Sequence, residues 1–179
     1  MRIGRCPYCL LEKRLVRPHA LPDAFTRAIK RENSGKVLYL SVNGGASERQ
    51  DDGSGFLLCN ECESILNRNF DHPVQRMLRR ISQDRAKYPS RCFFRFSGSS
   101  LAGFIVSVIW RAALLDTYLY RDFKLDDEIL DAMHTELWNW GSLKRGKYRY
   151  SMNAIVDGVA ELERQQISQL CFPQKQYAR

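Results

Sequence analysis

Two C-x2-C pairs, Cys6-Pro-Tyr-Cys9 and Cys59-Asn-Glu-Cys62, constrain this chain more than any other feature it has. Each pair folds into a tight knuckle that presents two thiolates to one metal, and two knuckles complete the closed tetrahedral shell of a structural zinc site. Such a site fastens the N-terminal turn to a point fifty residues downstream. The segment between them carries His19-Ala-Leu-Pro22, with the only histidine in the first seventy residues. Six cysteines would also serve a disulfide framework, but that suits short secreted domains, and paired C-x2-C in an intracellular chain is more often zinc. Cys92 and Cys171 are left over and read as buried free thiols.

A length of 179 residues suffices to bury a core, as one domain or two small intimate ones. No apolar run approaches the roughly 18 residues of a membrane span. The most apolar stretch, Leu101 to Trp110, is broken by Arg111 and again by Asp116. Arg2, Arg5, Lys13 and Arg14 interrupt any signal-peptide core, so the expected location is the cytoplasm, with no membrane partner. The net charge of +8 is unevenly placed: residues 1–98 hold 18 Lys and Arg against 10 Asp and Glu, whereas residues 99–179 hold 10 against 10. A basic surplus around a compact site suits a polyanion, of which nucleic acid is the commonest; the bland alternative is a solvated basic surface.

Along the chain, Glu12 to Val16 is a short strand candidate, and Pro22-Asp23 starts a helix with Phe25, Ala28 and Ile29 on one face. Val37 to Val42 is β-rich, Asn43-Gly44-Gly45 signals a turn, and polar Ser47 to Gly55 reads as a mobile loop. A helix leaves the second knuckle and ends near Pro73. Val74, Met77, Leu78 and Ile81 then mark a second, amphipathic helix that also carries Arg76, Arg79 and Arg80. A solvated face and a phosphate contact explain those arginines equally well.

Residues 91–98 alternate as a strand does, and Leu101 to Tyr120 reads as one mostly apolar core helix. Its Arg111, if buried, needs a partner, and an ion pair is expected rather than a ligand contact. Asp126-Asp-Glu opens a helix carrying Ile129, Met133 and Leu137. The basic, aromatic segment from Lys144 through Arg145 and Lys147 to Tyr150 suits backbone and stacking contacts to a single strand, or is an exposed connector. Ser151 caps a last helix, which Pro173 stops.

The order C-x2-C, strand, H-x-x-P, insertion, then Leu-Leu-Cys-x2-Cys-Glu opening a helix resembles the HNH, or ββα-metal, nucleases in their zinc-knuckle form. The resemblance covers about residues 5–72. It implies an α+β fold, a zinc-stabilised ββα-metal module over residues 1–73 followed by a mostly helical part over 74–179. By the same resemblance His19 is the base that takes a proton from water, a task suited to imidazole. Glu63 and Asn67, which share a helix face, would hold the catalytic ion, and oxygen donors suit Mg²⁺ or Mn²⁺. The alternatives are a turn histidine making a structural hydrogen bond, and an acid favoured in a helix's first turn.

Many members place an acid or histidine directly before the base; here Pro18 stands there, with no side-chain donor. Arg17, Arg76, Arg79, Arg80, Lys144, Arg145 and Lys147 are the candidate nucleic-acid contacts, with DNA preferred to RNA. A role in bacterial defence or in a mobile element follows from the resemblance, with residues 99–179 docking a protein partner or a second copy. A zinc-stabilised binding or adaptor module without activity is the competing expectation, and an RNA-cleaving nuclease a third.

Overall fold

A computed structural model describes residues 2–25, 27, 37–40, 46–49, 53–87 and 98–140. The expected strand at 91–98, apart from Gly98, which opens a helix, the basic loop with Lys144, Arg145 and Lys147, the last helix, Cys92 and Cys171 all lie outside them. Within them the chain is α+β.

Strands β1 (Arg2–Arg5) and β2 (Glu12–Leu15) form an antiparallel hairpin, with Ile3 opposite Arg14 and Arg5 opposite Glu12. The first knuckle is the turn of this hairpin. Its closing bonds run from the Leu10 N–H to the Cys6 carbonyl at 2.8 Å and from the Cys6 N–H to the Leu11 carbonyl at 2.9 Å. Such a reversal needs a left-handed residue, and Leu10 takes that position with φ of 62°. A branched side chain pays about 1–2 kcal/mol for this conformation. Because Leu10 is half exposed, Leu10→Gly is expected to raise stability by roughly 0.5–1 kcal/mol in a urea melt. An unchanged or lowered midpoint would mean that its side chain has packing value.

β2 leads into a second, shorter ladder that carries the architecture. Leu15 bridges Cys59, the Val16 N–H donates to the Leu58 carbonyl at 2.8 Å, and His19 bridges Ser54. Residues 15–19 thus run antiparallel to residues 54–59, and everything between is an insertion closed at its neck. Within it, β3 (Val37–Leu40) pairs antiparallel with β4 (Ala46–Arg49), Leu40 opposite Ala46. The reading of Ser47 to Gly55 as a mobile loop is corrected here: residues 47–49 are strand and Ser54 is bridged. Backbone pairing is indifferent to side-chain polarity, so a polar segment beside a turn signal can still form a hairpin.

From Cys59 the chain turns helical and remains so to Lys87. Helix α1 (Asn60–Leu66), a π turn (Asn67–Asp71) and helix α2 (His72–Lys87) follow without a break. The expected stop at Pro73 is therefore absent. Proline clashes with the carbonyl four residues back and lacks an N–H. The π turn widens the helix just before it, and the His72 N–H reaches the Asn67 carbonyl five residues back.

Helix α3 (Gly98–Leu114) is central, with Val106, Ser107, Trp110, Arg111 and Ala112 at 2% exposure or less. It ends six residues short of the expected Tyr120. The chain turns at Thr117, whose carbonyl accepts from Tyr120 and Arg121, and this lays Leu119 and Tyr120 against Gly53 and Leu115 and Thr117 against Gly55. Helix α4 (Asp127–Trp138) begins after Asp126 as expected, burying Met133 and Leu137 with Ile129 packed beside them.

One core unites these pieces: Leu58, Leu66, Phe70 and Val74 meet Val106, Trp110, Leu115 and Leu137. Tyr8, from inside the first knuckle, reaches furthest across it. Its hydroxyl donates to the Leu137 carbonyl at 3.1 Å, its ring packs edge-on to Trp110, and its own carbonyl accepts from His134 Nε2 at 2.8 Å. Packing is tightest at Gly103, where a Cβ would lie 2.5 Å from the Trp140 ring and 2.7 Å from Phe70. These two rings already meet edge to face at 4.9 Å. Gly103→Ala is expected to cost about 1–3 kcal/mol by overpacking, seen as a lowered denaturation midpoint. A neutral result would show that the two rings yield freely.

Candidate zinc centre and adjoining cavity

The Sγ atoms of Cys6, Cys9, Cys59 and Cys62 all lie within 4.8 Å of one another. Zinc–sulfur bonds of about 2.3 Å in a tetrahedron place sulfurs roughly 3.8 Å apart, so the four donors suit such an ion. The Cys9 and Cys59 sulfurs are 4.0 Å apart, about twice a disulfide bond, and all four are thiols.

Each half of the cluster is built locally. The hairpin turn presents Cys6 and Cys9; Cys59 caps α1, and Cys62 lies in its first turn. The Cys59 N–H points at Cys6 Sγ, 3.4 Å away, so the second knuckle supports a sulfur of the first. Burial pushes Cys62 up, helped by hydrogen bonding to Cys59 and by charge on Cys6. Burial raises Cys6 too, but the N–H groups of Cys59, Cys9 and Tyr8 outweigh it and bring that thiol below its usual range. Four mutually repelling thiolates, three of them buried, call for a cation among them.

The same two segments that leave the cluster build a cavity of about 260 Å³. His19 comes from the far end of the ladder, Glu63, Asn67, Asp71 and Gln75 from the helical run, Asp23 and Arg27 from the start of the insertion, and Arg111 from α3. His19, Glu63 and Asn67 thus line one space. His19 is half-buried with its Nε2 shielded from solvent. Of the Glu63 carboxylate, Oε1 accepts from Asn67 Nδ2 at 3.0 Å, and Oε2 is buried without a hydrogen-bond partner among the described residues. Burial pushes the Glu63 carboxyl up, opposed by the positive charge of Arg111, the Asn67 hydrogen bond and His19. Asn67 meets this carboxylate through its NH₂ group, so it orients Glu63 directly.

The other charges in the cavity are matched in pairs. Arg111 grips Asp71 through two bonds, Nη1 to Oδ2 at 3.0 Å and Nη2 to Oδ1 at 2.8 Å, with both side chains at 1% exposure or less. The buried Arg111 is thus in the ion pair expected of it. Arg27 holds Asp23 at 2.7 Å four residues away, and Phe25 between them stacks on Phe104 of α3, centroids 5.5 Å apart. Sequence reading did not bring Asp71, Arg111, Asp23, Arg27 or Gln75 to the site. The signal for part of it was present: Glu63, Asn67, Asp71 and Gln75 recur every four residues.

Pro18, directly before His19, is buried, and its carbonyl accepts from the Gly55 N–H at 3.4 Å. Of the basic candidates, Arg17 is exposed, donates to the Ser54 carbonyl at 3.2 Å and lies 5.8 Å over the Phe56 ring. Arg76, Arg79 and Arg80 are exposed along α2 and do not line the cavity. None of the described helices is long and apolar enough to cross a membrane. No protein-family model, curated protein or solved structure matches the chain.

Proposed function

We propose that the chain is a metal-dependent, HNH-type endonuclease that hydrolyses phosphodiester bonds of DNA. The observation that carries this reading is the meeting of His19 and Glu63 in one cavity, at the two ends of a ladder fastened by the cysteine cluster. His19 Nε2 is the base that receives a proton from the attacking water. Glu63 Oε2 is the anchor for Mg²⁺ or Mn²⁺, with Asn67 holding the other carboxylate oxygen in place. A divalent ion held there supplies charge stabilisation for the phosphate and the leaving oxygen. The zinc is structural, since four thiolates leave no open position. The basic surplus of residues 1–98 supplies attraction to the DNA backbone.

The test is relaxation of supercoiled plasmid by the purified chain with Mg²⁺ or Mn²⁺, beside Glu63→Gln. Glutamine keeps the shape of the side chain and its contact with Asn67 but removes the anchoring charge, so cleavage is expected to fall about 100-fold or more with the fold retained. Equal cleavage by both proteins would take Glu63 out of the mechanism. One observation favours a zinc-stabilised binding module instead. Asp71 and Asp23 are both committed to arginines, which leaves Glu63 as the one carboxylate on the described cavity wall outside an ion pair. Tight DNA binding that needs zinc alone, with no cleavage under either ion, would decide for that module.

A further inference from the structure

Arg111 is the most deeply buried charge of the cavity wall that comes from the C-terminal part of the chain. A buried ion pair is weak support for stability, because apolar residues of similar volume do as well or better at the same place. Its position therefore asks for another reason. A guanidinium has five N–H donors. Nε–H goes to the Ser107 carbonyl at 3.2 Å, and one N–H from each terminal nitrogen goes to Asp71. Two donors, one on each terminal nitrogen, are left by these bonds, and the side chain lines the cavity that also receives His19 and Glu63. Asp71 takes the edge between the two terminal nitrogens and Ser107 takes Nε–H, so the two remaining N–H bonds lie on opposite sides of the group, each with its direction fixed by these partners.

The geometry points to Arg111 as the anion-recognising group of this cavity, taking a non-bridging oxygen of a phosphate between itself and His19, with Asp71 as its positioning residue. This deepens the nuclease reading, on which it rests for the identity of the ligand as a phosphodiester. Arginine suits the task because a terminal N–H left over from the Asp71 pair makes a charge-assisted bond to one oxyanion oxygen, and its charge persists at every working pH. Asp71 and Arg111 sit on different halves of the fold, on the π turn and on α3. Phosphate recognition therefore depends on those two elements being docked.

Arg111→Ala alone would strand a buried Asp71 and damage the fold, so the double variant Asp71→Asn, Arg111→Gln is the proper comparison, with Arg111→Lys beside it. The zinc-loaded full chain is titrated with inorganic phosphate at constant pH and ionic strength against chloride, and the ring resonances of His19 and the distant His134 are followed by NMR. Phosphate is expected to move His19 saturably and leave His134 in place. The double variant, shown folded by its melt, is expected to bind about tenfold more weakly or worse, with Arg111→Lys in between. An unmoved His19 in the unmodified protein would overturn the assignment, whatever the variants do. So would equal phosphate affinity in the folded double variant. Plasmid cleavage is scored separately: phosphate binding through Arg111 without cleavage keeps this assignment and removes the nuclease, whereas cleavage with phosphate-blind Arg111 does the reverse.

Discussion

Cys59→Ser is expected to abolish the cooperative thermal transition of this protein, and exhaustive chelation of the unmodified chain to do the same. Structural zinc contributes roughly 10–16 kcal/mol to small metal-bound folds, whereas whole domains are stable by about 5–15 kcal/mol. Losing the metal therefore consumes the entire margin. Cys59 is the most exposed to this arithmetic because it serves three purposes. It is one of the four clustered thiols, its N–H supports Cys6 Sγ, and it bridges Leu15 in the ladder. Serine lacks the soft sulfur and would leave three ligands. Circular dichroism melts with metal analysis on the same samples decide the matter; a Cys59→Ser protein that melts normally with one zinc per chain would sink the zinc assignment.

His19→Ala is expected to leave folding nearly intact and to lower plasmid cleavage by about 10²–10⁴-fold, the range for removal of a general base. The two effects separate because the backbone, not the imidazole, makes the bridge to Ser54. Loss of the half-buried ring should cost on the order of 1 kcal/mol. The informative pairing is with Cys59→Ser, which would lose activity by losing structure. Matching cleavage by His19→Ala and the unmodified protein would remove His19 from the chemistry. A large loss of stability in His19→Ala would instead make it a structural turn residue.

The cysteine cluster was legible because its signal is local, two residues between ligands in each knuckle and the same arrangement twice. The start of α4 was legible for a similar reason, with Asp126 directly before an acidic first turn. Two local signals misled. Pro73 marks a stop in an ordinary helix, and only the wider π turn before it lets the chain continue. Polar composition hid β4, because its pairing with β3 runs through backbone groups. The cavity was half legible: His19, Glu63 and Asn67 stood out by type and spacing, whereas the Asp71–Arg111 pair spans forty residues and depends on how α3 docks. Burial of Arg111 is a tertiary fact that no local pattern encodes.

The π turn also sets a rotational phase. An α-helix advances about 100° per residue, so a regular helix one residue shorter through 67–71 would turn all of α2 about its own axis. Gln75 would then occupy the sector of Val74, now 2% exposed, and Arg76 and Arg79 would move into the half-buried sectors of Gln75 and Leu78. A single surplus residue beside the cavity thus selects which side of residues 72–80 is greasy and which is wet. An insertion or deletion in the five residues that carry Asn67 and Asp71 would therefore be ruinous, because it resets that phase.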